Sequence, residues 1–303
     1  MKETKQLIAK IESTNSGAHF SNVTVKLENK KSINIKVEQH LLGQLKIGKL
    51  YLFNVLEVNK DEEVILKSVS FENIEKLYDK EKLAEIYPAF FQAAPISFKE
   101  IKKGIEGYIK EIKNPILASI TKNLYQKYKG DFYIHPAATK NHHAYYGGLS
   151  YHTLTMLRLI KPFIEVYPYI DYDLMLAGTL LHDIAKVGEI SGVDGEYTPE
   201  GMLIGHIVQG TIEIELVAKE LGYENEEVVL LLKHMLVAHH GMLAFGSPKR
   251  PQTAESLLLW YIDTMDSKFA VLEEELAKTK PGEFTNQVNV LDKVKFYKPK
   301  NSK

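Results

Sequence analysis

The chain contains no cysteine. Disulfides, thiolate metal sites and cysteine nucleophiles are therefore excluded, and any transition-metal site must be built from histidine, aspartate and glutamate. Tryptophan occurs once, at Trp260. No stretch approaches the ~20 apolar residues of a membrane span, and the N-terminal MKETKQLIAK has no apolar signal core. These absences lead to the expectation of a cytoplasmic protein with no membrane partner. A surplus of one charge is also missing: 38 Lys+Arg against 39 Asp+Glu leave a formal net charge of −1. The broad basic excess of a strongly electrostatic nucleic-acid binder is thus absent. A polyanion partner would have to be held by a local patch or a bound metal.

What is present divides into two patterns. The 303 residues are enough for two cores. Residues 1–74 read as strands. Val23, Val25 and Leu27 alternate with Thr24, Lys26 and Glu28, and Ile33, Ile35 and Val37 alternate with Asn34, Lys36 and Glu38. Gln6–Glu12, Leu50–Val58 and Val64–Val69 complete about five strands, with breaks at Asn15–Gly17, Asn29–Lys31, Gly43–Gly48 and Asn59–Glu62. Period-2 alternation between polar turns predicts a small antiparallel barrel, OB-like or SH3-like. Its 11 lysines against 9 acidic residues make it slightly basic. Phe20, Tyr51, Phe53 and Phe71 either stack bases or fill the barrel core.

From residue 75 the period becomes helical. Residues 75–96 read as a helical connector interrupted by Pro88 and Pro95, and 97–303 as a mainly α domain. Ser97 with Glu100 is a capping-box pattern, and Ile101, Ile105, Ile109 and Ile112 share one helical face. Pro115 interrupts the pattern, and a second helix is expected to run to about Tyr128. Further helices are expected near 148–165, 172–187, 202–221, 225–239 and 252–277.

Imidazoles and carboxylates recur along these apolar helices: His152, then His182-Asp183, His206, His239-His240 and Asp263. Alone, each is more commonly a satisfied core histidine or a surface carboxylate. Five apolar segments that each offer such a group are harder to explain separately, because burying polar groups is costly unless something compensates them. A metal centre supplies a common purpose. The mixed His/Asp set suits Mn, Fe, Co, Ni or Zn better than Mg or Ca.

The order H…HD…H…HH…D resembles the HD-domain metal phosphohydrolases. Longer stretches, KNHHAYYGGLSYHTLTML, LLHDIAKVGE, GHIVQG, HHGMLAFGSPKRPQTAESLLL, IDTMDSK and GEFTNQVNVLDKVKFYKP, resemble the YhaM-type 3′→5′ exoribonucleases over roughly residues 95–300. The resemblance implies an HD-domain helical bundle behind an N-terminal OB fold. It implies two divalent ions, Mn foremost, with one held by His152, His182, Asp183 and Asp263. The other would be held by Asp183, His206, His239 and His240, with Asp183 shared. The substrate class implied is single-stranded RNA, with single-stranded DNA as a further candidate, degraded to nucleoside 5′-monophosphates. Assembly into a homo-oligomer is a weaker implication.

Further roles follow. Lys186, three residues after Asp183, either holds the scissile phosphate or is a lysine favoured by a helix C-terminus. His142 and His143 either line the cleft or brace their loop. Lys140, Ser247, Lys249 and Arg250 are candidate contacts to the RNA backbone, though Lys249 and Arg250 could simply be solvated. Asp266 is expected to hydrogen-bond a ligating imidazole. Three competing functions stand beside this reading: an HD-class hydrolase of nucleotides or cyclic dinucleotides, a non-catalytic RNA-binding protein, and a helical domain with core histidines.

Overall fold

A computed structural model describes residues 4–17, 20–60, 63–139, 143–193 and 195–301. The chain forms two compact units, the first ending at Gln92 and the second beginning at Ala93.

The first unit is a closed five-stranded barrel: β1 (Lys5–Gly17), β2 (Phe20–Leu27), β3 (Ser32–Lys36), β4 (Leu50–Lys60) and β5 (Glu63–Asn73), in the order β1-β2-β3-β5-β4. All pairings are antiparallel except β3 with β5. Alternation does what the sequence pattern requires. Ala9, Ile11, Val23, Val25, Ile35, Phe53 and Val55 are fully buried inside, and the intervening side chains face outward. The break expected at Asn15–Gly17 falls within β1, which extends to Gly17. Pairing with β2 through Gly17↔Phe20 carries the strand past its apolar stretch. A 3-10 turn, Gln39–Gln44, fills the β3–β4 connection.

Three of the four barrel aromatics belong to the core. Phe53 and Tyr51 are buried, and Phe71 packs partly buried against them with ring centroids 5.8 and 5.9 Å away. The Tyr51 hydroxyl donates to the Gln44 carbonyl and accepts from the Lys46 amide. A base-stacking role for these rings is therefore set aside. The Phe20 side chain lies outside the described residues.

Two short helices, α1 (Ile74–Leu77) and α2 (Lys80–Ile86), follow the barrel. The second unit is helical: α3 (Phe98–Glu111), α4 (Pro115–Phe132), α5 (Gly148–Val166), α6 (Tyr172–Leu181), α7 (Lys186–Glu189), α8 (Pro199–Leu203), α9 (Gly205–Leu221), α10 (Glu227–Ala238) and α11 (Ala254–Lys278). Ser97 and Glu100 form a reciprocal capping box on α3, whose Ile101, Ile105 and Ile109 are buried. At the centre lies α6, buried from Leu174 through Leu181 and packed against α3, α4, α5, α10 and α11. A helix apolar on every side belongs in the middle of a bundle.

Two predicted helices are shorter than their periodicity suggests. The segment 172–187 stops at Leu181, and His182–Ala185 form turns before α7. The His182 imidazole takes up the carbonyl of Thr179, one of the acceptors a helix end leaves over. The segment 202–221 is split at Gly205, whose φ of 76° ends α8 and starts α9. The tail, for which sequence gave no assignment, holds isolated bridges Phe284↔Tyr297 and Val288↔Val294.

Gly148 tests this packing. A methyl group there would lie 1.9 Å from the His143 carbonyl oxygen, whereas one at Gly107 in α3 meets nothing within 4 Å. Helix propensity favours alanine over glycine by roughly 1 kcal/mol, so Gly107→Ala should raise the melting temperature slightly. Gly148→Ala should instead destabilise by roughly 1–3 kcal/mol and lower the melting temperature by several degrees. Thermal unfolding followed by far-UV circular dichroism reads both.

Candidate metal centre

Helix ends deliver most of the chemistry. His152 comes from the second turn of α5, His182 and Asp183 from the turn after α6, and His206 from the first turn of α9. His239 and His240 follow the last residue of α10. Behind them Gly241 adopts a φ of 75°, and a Cβ there would lie 2.0 Å from the Trp260 ring, so only glycine lets the chain turn. Asp263 and Asp266 project from the middle of α11.

Asp183 is the meeting point. Its Oδ1 lies 3.2 Å from His206 Nε2 and 3.6 Å from His239 Nε2. Its Oδ2 lies 3.3 Å from His182 Nε2, 3.8 Å from His152 Nε2 and 2.7 Å from Lys186 Nζ. Asp263 Oδ1 stands 3.4 Å from His152 Nε2. Two potential ligand groups contain Asp183: Asp183, His206, His239 and His240 on one side, and His152, His182 and Asp183 on the other, each with donor atoms within 4.8 Å, and a third joins His143, His152 and Asp266.

The second ring nitrogens explain why these atoms converge. Nδ1 of His182 donates to the Thr179 carbonyl, Nδ1 of His239 to Leu236 and Nδ1 of His240 to Phe245. A carbonyl can only accept, so each Nδ1 carries the proton and each Nε2 of the uncharged ring keeps a lone pair. His206 Nδ1 and its backbone amide both donate to Glu189, at 2.8 and 3.1 Å. His152 Nδ1 donates to Asp266 at 2.6 Å. The outcome is a buried set of acceptors without donors. Nε2 of His182, His206 and His239 and Oδ1 of Asp183 have no hydrogen-bond partner. Lone pairs that face lone pairs in low dielectric are costly, and a cation between them removes the cost. The residues present fit a metal.

Charge follows the same logic. Burial pushes His206, His239 and His240 down, His240 to about 4 with His239 adding to the effect, so these rings are uncharged at neutral pH. Burial would raise Asp183, but Lys186 holds it well below the usual carboxylate range. Burial also opposes ionisation of Asp263 and Asp266, and is overcome by His152 for the first and by His143 and His152 for the second. Burial lowers His152, yet Asp263 and Asp266 outweigh it and raise the ring to about 10. The carboxylate that draws a proton onto Nε2 of His152 would equally draw a metal ion there.

Beside the centre opens a cleft of about 680 Å³ lined by Lys186, His206, His240 and Asp263. Other sequence candidates are placed differently. His143 does not face this cleft: it is buried, donates from Nε2 to Asp266 and accepts at Nδ1 from the Tyr145 hydroxyl. Its position is behind His152, where it orients Asp266. Ser247 is 1 % exposed and accepts the His240 amide, so it braces the loop rather than meeting a polynucleotide. Lys249 and Arg250 are exposed. Lys140 and His142 lie outside the described residues. Sequence reasoning overlooked Glu189 and Tyr145. The available signal for Glu189 was an acidic residue just past a predicted helix C-terminus, where the macrodipole disfavours it.

Comparison with known proteins agrees with this geometry. The HD domain family matches residues 149–268. Together with the buried His/Asp cluster, that match indicates divalent metal binding. No solved structure matches. The 3′-5′ exoribonuclease YhaM of Bacillus licheniformis is 42% identical over 254 residues, 80% of this chain and 81% of that protein. The proteins of the same name from Bacillus velezensis and Bacillus subtilis are each 44% identical over 211 residues, 69% of this chain and 67% of theirs. With that identity spread over most of both partners, and an HD domain where the buried imidazoles gather, the chain belongs to the YhaM family of 3′-5′ exoribonucleases.

Proposed function

We propose that this chain is a 3′→5′ exoribonuclease that hydrolyses single-stranded RNA to nucleoside 5′-monophosphates at a centre for two divalent ions. The observation that carries the reading is Asp183, whose two oxygens face two different sets of imidazole nitrogens. In this reading His152, His182, Asp183 and Asp263 hold one ion, and Asp183, His206, His239 and His240 hold the other. Manganese is the first candidate on the family resemblance, and the His/carboxylate donor set suits Fe, Co, Ni and Zn as well. When bound, such a pair supplies Lewis acidity toward a phosphodiester and a water of lowered pKa.

The protein's own part is positional. Glu189, Asp266 and three backbone carbonyls hold the Nδ1 protons and so aim every Nε2 inward. Lys186, paired with Asp183, lines the cleft and is placed to stabilise charge that develops on the phosphate. We assign residues 1–74 to nucleic-acid binding, 75–96 to a connector and 97–303 to catalysis. Support for the first comes from Lys36 standing opposite Lys67 in the β3–β5 register, a like-charge pair that a polyanion would relieve. No helix among the described residues is long and apolar enough to cross a membrane, and we place the protein in the cytoplasm.

The test is a 5′-labelled single-stranded RNA incubated with Mn²⁺ or with EDTA, beside the matching DNA. The expected result is a ladder shortening from the 3′ end, dependent on metal. RNA left whole under every condition would sink the reading and move attention to nucleotides and cyclic dinucleotides. Asp183→Asn should abolish the ladder. By elemental analysis the wild-type chain should hold two ions and the variant fewer, since one shared ligand is lost. Glu189→Gln keeps only one acceptor oxygen for the two donors of His206. It should weaken Mn²⁺ binding by about 10–100-fold in titration calorimetry, and unchanged affinity would remove Glu189 from the support of the site.

A further inference from the structure

The cleft contains groups that the centre itself does not use. Thr264, Ser267 and Lys268 line it from one face of α11, just beyond Asp263. At spacings of three and four residues they lie side by side. Ser267 touches the centre, its hydroxyl donating to Asp263 Oδ1 at 3.4 Å. Lys268 is five residues past Asp263, roughly 7.5 Å along the helix axis, and it is exposed.

Two lysines line the cleft, and they differ in state. Lys186 is largely buried and bound to Asp183 at 2.7 Å. Lys268 makes no ion pair among the described residues, so it is the cation available to an incoming anion. The rest of the lining includes apolar side chains, Ile204 and Val208 at the start of α9, Phe245 after α10 and Val290 in the tail, beside the polar Glu189 and Tyr197. Phe245 is 64% exposed, and Ile204, Val208 and Val290 are also well exposed. These apolar side chains offer contact to the faces of bases without reading their edges.

Resting on the exoribonuclease reading, we propose that Lys268 binds the phosphate next to the scissile one on its 5′ side. Ser267 and Thr264 face the sugar between the two phosphates, and bases lie on the Phe245 wall whatever their identity. The site then requires at least two consecutive phosphates for full affinity. It therefore selects a polynucleotide over a free mononucleotide.

The test is binding of a fluorescently labelled single-stranded RNA decamer to the full chain in EDTA, which prevents turnover. Anisotropy is read across a potassium chloride series, for a U-rich and an A-rich strand. Lys268→Ala should bind both strands several-fold more weakly and by the same factor. Its log affinity against log salt slope should fall by about 0.7, the value for one lost phosphate contact on a single strand. Lys268→Arg should restore most of the affinity. Affinity and slope equal to wild type would overturn the proposal, as would a loss that arginine does not restore. A wild-type chain that shortens RNA while Lys268→Ala binds normally defeats this inference alone. One that binds RNA through Lys268 yet never shortens it defeats the exoribonuclease reading alone.

Discussion

The Asp183 carboxylate lies buried among imidazole nitrogens that present lone pairs to it, and Lys186 is the nearest permanent cation. Everything around the centre serves that contact. A buried carboxylate is tolerated only beside compensating positive charge, and one lysine is shared with a cleft that must also accept a negative substrate. The remaining demand for cations is what makes this place suited to divalent ions.

Helix ends are the means by which the demand is built. A helix leaves its last carbonyls without donors, and His182 and His239 each donate Nδ1 to the carbonyl three residues earlier. One hydrogen bond thus caps a helix and settles a tautomer. Glu189 repeats the device at a helix start, where it accepts both the amide and the ring N–H of His206. The precision of the site derives from backbone geometry, which tolerates less drift than surface side chains do.

Much of this was legible before any coordinates. Alternation around Val23–Val25 and Ile33–Ile35 announced a half-buried sheet, and the buried Ile101, Ile105 and Ile109 followed from spacing alone. The seven imidazole and carboxylate positions stood out because each interrupts an apolar run. What sequence could not supply is orientation. Periodicity carried the helix past His182, because the hydrogen bond from its ring to Thr179 is a tertiary-scale choice with no pattern of its own. It also placed His206 inside a helix, whereas Gly205 puts it in a first turn. His143 and Ser247 carried the right chemistry for a substrate contact, but burial assigned them to bracing. Tyr51 and Phe53 were equally suited to stacking or packing, and closure of the barrel decided for packing.

The chain has no cysteine, yet its helical unit has candidate ligands on five segments far apart in sequence, from His152 to Asp263. An ion held by both ends of that span would be a reversible covalent-like staple. It would close long loops and remove entropy from the unfolded chain, as a disulfide does in an oxidising compartment. Unlike a disulfide, such a staple needs no oxidising compartment to form and is undone by chelation.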